Sequence, residues 1–152
     1  MKHLLLSLII LAIALPLAAQ DGLHINRLFK GEVVNEKAMK ESLVKGESLA
    51  PYKLRVLHIA KFTVAPSQRD EVETLFEEDM KGRLSDDDEN LELEYRDGHL
   101  YYAIVQLGDN KEGLHRYICY QCRQTMCDNG ITLVYMEGKA TLADLRNTFK
   151  KK

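Results

Sequence analysis

Asp97-Gly98 is the dipeptide that most narrows what this chain can become. A two-residue hairpin loop in the mirror-image turn needs positive φ at both central positions, which Asp tolerates and Gly adopts freely. Placing the turn there pairs Arg96 with His99, Tyr95 with Leu100, Leu93 with Tyr102 and Leu91 with Ile104. Leu91, Leu93, Tyr95, Leu100, Tyr102 and Ile104 then share one face, and Glu92, Glu94, Arg96, His99 and Tyr101 share the other. Turn chemistry and hydrophobic parity agree, so an antiparallel hairpin is expected before anything else about the chain.

On either side of the hairpin the period of the apolar residues sets the remaining elements. Tyr52, Leu54, Val56, His58, Ala60, Phe62 and Val64 share one parity while Leu57 and Ile59 occupy the other, the pattern of a long central strand. Pro66 and Ser67 open a helix. Ser67 with Asp70 makes a capping-box-like start, and Val72, Leu75, Phe76 and Met80 form a stripe at helical spacing that ends near Gly82. A second strand pair is expected from about His115 to Gln121 and from Ile131 to Met136, with Asp128-Asn129-Gly130 as its turn. Gly138 ends the last strand, and Thr141 with Asp144 caps a short closing helix whose stripe is Leu142, Leu145 and Phe149. Residues 20–51 are the least patterned: Asn35 can cap a short helix through Met39 and Leu43, and a strand over 39–45 fits equally well. The expected fold class is α+β: an antiparallel-dominated sheet of five to six strands with two helices packed on one face.

The N-terminus reads as an address. Lys2 precedes an apolar run from Leu4 to Leu15, Pro16 breaks it, and Leu17-Ala18-Ala19 closes it, the order of a secretory signal peptide over residues 1–19. A spanning helix needs about 20 apolar residues, so no stable membrane span is expected after cleavage. No cysteine lies near the cleavage region, so the product is not a lipoprotein. Residues 20–152 then form one α+β domain, exported to the periplasm or secreted. The formal charge of −2 provides no basic footprint for nucleic acid. That small number conceals an asymmetry: residues 70–97 carry a net −10 and the rest of the chain +8.

Four features invite chemistry. Cys119, Cys122 and Cys127, with His115 upstream, have the ingredients of a zinc or thiol–disulfide site, but in an extended segment His115 and Cys119 point opposite to Cys122. A structural bridge between Cys122 and Cys127 is the reading that suits an oxidising compartment. Asp86, Asp88 and Asn90 begin like a calcium loop, yet Leu91 stands at its glycine position and Asp97 at its closing glutamate, so no metal and no cofactor is expected. His58 lies on an apolar strand face, the place of a hydrogen-bonded core histidine. His99, Tyr101, Glu92 and Glu94 converge on the polar face of the hairpin and form the candidate polar cluster. Tyr95, Tyr101, Tyr102, Tyr117, Tyr120 and Tyr135 all fall on expected strands, where an exposed subset favours binding. No nucleophile elbow, phosphate loop or His-Glu-x-x-His pattern occurs, and no catalytic residue is assigned.

Pro51-Tyr52-Lys53-Leu54 and the stretch from Ile131 to Leu145 resemble small exported proteins of gut anaerobes that are grouped as domains of unknown function. The resemblance implies export and an α+β fold, and brings no catalytic residue, cofactor or substrate. The function expected is a non-catalytic binding or interaction module of the bacterial cell envelope, meeting a protein or other envelope partner through a sheet face or edge strand. The alternative is a small hydrolase or thiol-dependent enzyme using His99 and Tyr101, or Cys119 and Cys122.

Overall fold

A computed structural model describes residues 22–81, 91–125 and 128–149. The expected signal peptide, the Asp86–Glu89 acidic run and Cys127 lie outside the described residues. Six strands form one antiparallel sheet: β1 (Lys40–Lys45), β2 (Leu54–Thr63), β3 (Leu91–Arg96), β4 (His99–Leu107), β5 (His115–Thr125) and β6 (Asp128–Gly138), in the order β1-β2-β6-β5-β4-β3. Among the described residues three α-helices accompany them: the single turn α1 (Asn26–Phe29), α2 (Pro66–Met80) and α3 (Leu142–Phe149). No helix among the described residues is long and apolar enough to cross a membrane.

The hairpin stands where its turn chemistry puts it, with φ of 52° at Asp97 and 79° at Gly98. Arg96 faces His99 and Tyr95 faces Leu100; then Glu94 faces Tyr102, because Tyr101 is an extra residue on β4. This β-bulge corrects the expected register. Leu93 meets Ala103 and Leu91 meets Val105, so Tyr102 and Ile104 turn to the face of Glu92 and Glu94. One inserted residue exchanges every later side chain between faces.

The second correction concerns the layers. Val72, Leu75, Phe76 and Met80 of α2 pack with Val105, Ile118, Tyr120, Leu133 and Tyr135, whereas Leu142 and Leu145 of α3 pack with Ile104, Tyr117 and Met136. Those strand residues alternate, so the two helices cover opposite faces rather than one. The physical cause is that β4, β5 and β6 are apolar at both parities, and a strand apolar on both sides needs cover on both.

Three smaller differences follow from backbone hydrogen bonding. Pairing of β5 with β6 continues to Thr125 opposite Asp128, so Asp128-Asn129-Gly130 belongs to a strand and not to the turn. α2 begins at Pro66 with Ala65 as its N-cap, whose N–H donates to the Gln68 side chain at 3.2 Å. Pro66 supplies the preset φ of a first helical position, which moves the start ahead of Ser67. Asn35 does cap a helical turn, accepting from the Lys37 N–H at 2.9 Å, but the turn spans only Glu36–Ala38 before β1 starts.

Two contacts tie the periphery down. Asp79 of α2 accepts from the N–H groups of His24 and Ile25 at 2.7 and 2.9 Å, holding the start of α1. At Gly138 a Cβ would stand 2.4 Å from the Lys53 carbonyl oxygen, which accepts from both Lys139 and Ala140; only glycine allows that approach.

Candidate functional site

α3 has eight residues and is therefore roughly 12 Å long. β2, β5 and β6 are about three times that length, at ten or eleven residues each. α3 and the 3-10 segment Glu47–Tyr52 consequently cover one end of the second face, and the other end is open. On that open half the register aligns one row across five strands: Lys40 opposite Lys61, Lys61 opposite Thr132, Thr132 opposite Gln121, and Gln121 opposite Tyr102. The next row places Thr63, Gly130 and Arg123 side by side.

These rows floor a cavity of about 440 Å³, with Lys40, Lys61 and Arg123 as its charged lining and Tyr101, Gln121, Thr63 and Thr132 as its polar lining. Among the described side chains no carboxylate lines it. The concavity has a simple origin, since Gly130 and the short Thr132 sit between long side chains on either flank. The charged side chains described there are all basic. Lys40 and Lys61 are direct cross-strand neighbours on one face, and among the described residues neither has an ion-pair partner. Like charges directly opposite each other destabilise a sheet. Such a trough can hold an anionic group, with hydroxyls and an amide to orient it.

The sequence-derived cluster is divided. Glu92 turns to α3 and pairs with Arg146 at 2.5 Å. Glu94 pairs with Arg96 at 2.7 Å, and the Arg96 guanidinium lies over the Tyr101 ring at 3.4 Å, a cation–π contact at the rim of the trough. His99 reaches α2 instead, with Nδ1 3.2 Å from Glu73 Oε2 and 3.8 Å from Asp70 Oδ1. His99 lies opposite Arg96 on the turn side of the bulge, and its contacts are with α2 and not with Glu92 or Glu94.

The cysteines are divided too. Cys119 belongs to the α3 face and Cys122, fully buried, to the α2 face. Burial, with the Glu92 carboxylate adding to it, pushes the Cys119 thiol up to about 12, far from a reactive thiolate. The expected Cys122–Cys127 bridge lies outside the described residues. His58 is buried, hydrogen-bonded to Glu41 and stacked on the Phe29 ring at 4.2 Å, as a core histidine should be. Of the tyrosines, Tyr117, Tyr120 and Tyr135 are fully buried, Tyr101 and Tyr102 half-buried, and Tyr95 exposed.

Fold and trough together define a class: a six-stranded antiparallel sheet with α-helical cover on both faces and one basic half-face left open. More particularly, the chain belongs to a family of unknown function, DUF6108, which matches residues 12–149. No curated protein and no solved structure matches it.

Proposed function

We propose that this chain is an exported, non-catalytic binding module of the bacterial cell envelope that holds an anionic partner in the open half of its sheet. The observation that supports this reading is the juxtaposition of Lys40 and Lys61, neither ion-paired among the described residues, on a concave floor whose described side chains include no carboxylate. A pair that costs stability and that no described acidic side chain compensates is accounted for by a ligand that neutralises it. The row from Lys40 to Tyr102 crosses four interstrand gaps, roughly 19 Å, long enough for several units of an extended polymer. Export rests on the secretory pattern of residues 1–19.

The test is titration with two polyanions, polygalacturonate for a sugar backbone and poly-glutamate for a peptide one, against the wild-type chain and a Lys40→Glu/Lys61→Glu variant. Binding of either, weakened by salt and at least tenfold weaker in the variant, supports the reading. Equal affinity in the variant, or no binding of either polymer at low salt, overturns it. Fractionation of cells expressing the chain tests export, which fails if the uncleaved protein stays in the cytoplasm.

A further inference from the structure

Where α2 meets the β3–β4 hairpin, on the face away from the trough, three metal-ligating side chains converge from two elements. Asp70 and Glu73 stand one turn apart on α2, His99 opens β4, and their ligand atoms all lie within 4.8 Å of one another. A tetrahedral cation with bonds of about 2.0–2.2 Å to nitrogen and oxygen holds its ligands roughly 3.3–3.5 Å apart. The separations from His99 Nδ1, 3.2 Å to Glu73 and 3.8 Å to Asp70, bracket that spacing.

Glu73 is the fixed member of the set. It is 8 % exposed, and buried Arg69 holds its Oε1 at 2.8 Å, leaving Oε2 directed at His99. That is the outer hydrogen bond by which proteins orient a ligating carboxylate. Beside the pair, the fully buried Tyr120 hydroxyl faces Arg69 and Glu73 without reaching hydrogen-bond geometry to either. A buried polar group without a protein partner leaves room for a bound water beside the set. Charge points the same way. Arg69 balances one of the two carboxylates, and among the described residues the other, on Asp70, meets only His99 at 3.8 Å.

We propose that Asp70, Glu73 and His99 bind one divalent transition-metal cation of the zinc class. One imidazole nitrogen with two carboxylates is a borderline donor set that favours such ions over calcium or magnesium, which take oxygen ligands. Asp70, at 70 % side-chain exposure, leaves the solvent side of the ion open to water. Bound there, the ion joins α2 to the hairpin. Nothing in this site depends on the anion trough.

The experiment is calorimetric titration of the tag-free, metal-free chain with Zn²⁺ at pH 7, alongside His99→Ala and Asp70→Asn. Both replaced side chains are solvent-accessible, so the variants should fold, and circular dichroism checks that they do. One equivalent bound by wild type, with at least a tenfold loss in each variant, is the expected result. Cobalt substitution supplies a second readout, because ligation by the cysteines would add a thiolate charge-transfer band and this site would not. No heat and no rise in melting temperature with excess Zn²⁺, unchanged affinity in His99→Ala, or a thiolate band each overturns the proposal.

Discussion

Replacing Lys61 with Glu should stabilise the fold while removing anion binding, two effects that a merely structural lysine would not combine. Directly opposed residues have Cβ atoms about 5 Å apart, which leaves two splayed ammonium groups roughly 7 Å apart. Their repulsion is about 0.6 kcal/mol in water, and salt near 0.15 M reduces it to about 0.25. Reversing one sign turns that repulsion into an attraction of similar size. The swing is about 0.5 kcal/mol, within the range of about 0.2–1 kcal/mol found for cross-strand pairs. For a domain of this size it raises the melting temperature by about 2 °C, and Lys61→Met, which only deletes the repulsion, should give about half. Thermal unfolding followed by circular dichroism reads the shift, and repeating it in about 1 M salt, where charges further apart than about 3 Å are screened, should erase it. A lower melting temperature for Lys61→Glu at low salt refutes the view that Lys40 and Lys61 repel across β1 and β2. Undiminished polyanion binding by the same variant refutes the trough as the binding surface.

Other elements give sharper losses. Tyr117 donates its buried hydroxyl to the Ala140 carbonyl at 2.7 Å, so Tyr117→Phe should cost about 1–3 kcal/mol in urea unfolding by leaving that carbonyl unsatisfied. Gly138→Ala forces a methyl to within 2.4 Å of the Lys53 carbonyl oxygen and 2.6 Å of Leu54 Cα, and should destabilise by about 1–3 kcal/mol; wild-type stability would show that this crossing is looser than drawn. Hydrogen bonds from Thr141, and then from Lys53, lower the Asp144 carboxyl to about 2. A depressed carboxylate stabilises the fold above its unfolded value near 4 and loses that contribution as pH falls towards 2. Urea midpoints measured from pH 2 to 6 should therefore fall less steeply for Asp144→Asn than for wild type, and parallel profiles would remove Asp144 from the account.

Local chemistry made some elements legible and hid others. Asp97-Gly98 marked its hairpin because the turn demands positive φ at both positions, and the Thr141–Asp144 cap was readable because both partners are close in sequence. The same turn chemistry misled at Asp128-Asn129-Gly130, where continued pairing to β5 satisfies backbone groups that a turn would leave to water. β1 carries little signal because all six of its residues are exposed, so no hydrophobic period exists to read. The placement of α3 had a readable sign that the one-face expectation passed over: Tyr117 and Cys119 alternate with Ile118 and Tyr120, as Val134 and Met136 do with Leu133 and Tyr135. Strands apolar at both parities require cover on both faces.

The trough was less accessible still, and the reason lies in topology rather than in weak residues. On the α3 face each of three strands changes character along its length. β2 runs from Leu57 to Lys61 and Thr63, β5 from Tyr117 and Cys119 to Gln121 and Arg123, and β6 from Gly130 and Thr132 to Val134 and Met136. Read singly, each is an apolar strand with a polar end, the common fate of strands that reach solvent. The polar ends of β2 and β5 are C-terminal and that of β6 is N-terminal, so they coincide in space only because β6 runs antiparallel between the other two. Lys40 joins them through a strand with no period of its own, and Tyr101 arrives because the bulge releases it from the ladder. The metal-ligand set arises in the same way, with His99 brought to Asp70 and Glu73 by the packing of α2 across the sheet. In both places the chemistry was present in the residue types, and the pairing of distant segments made it a site.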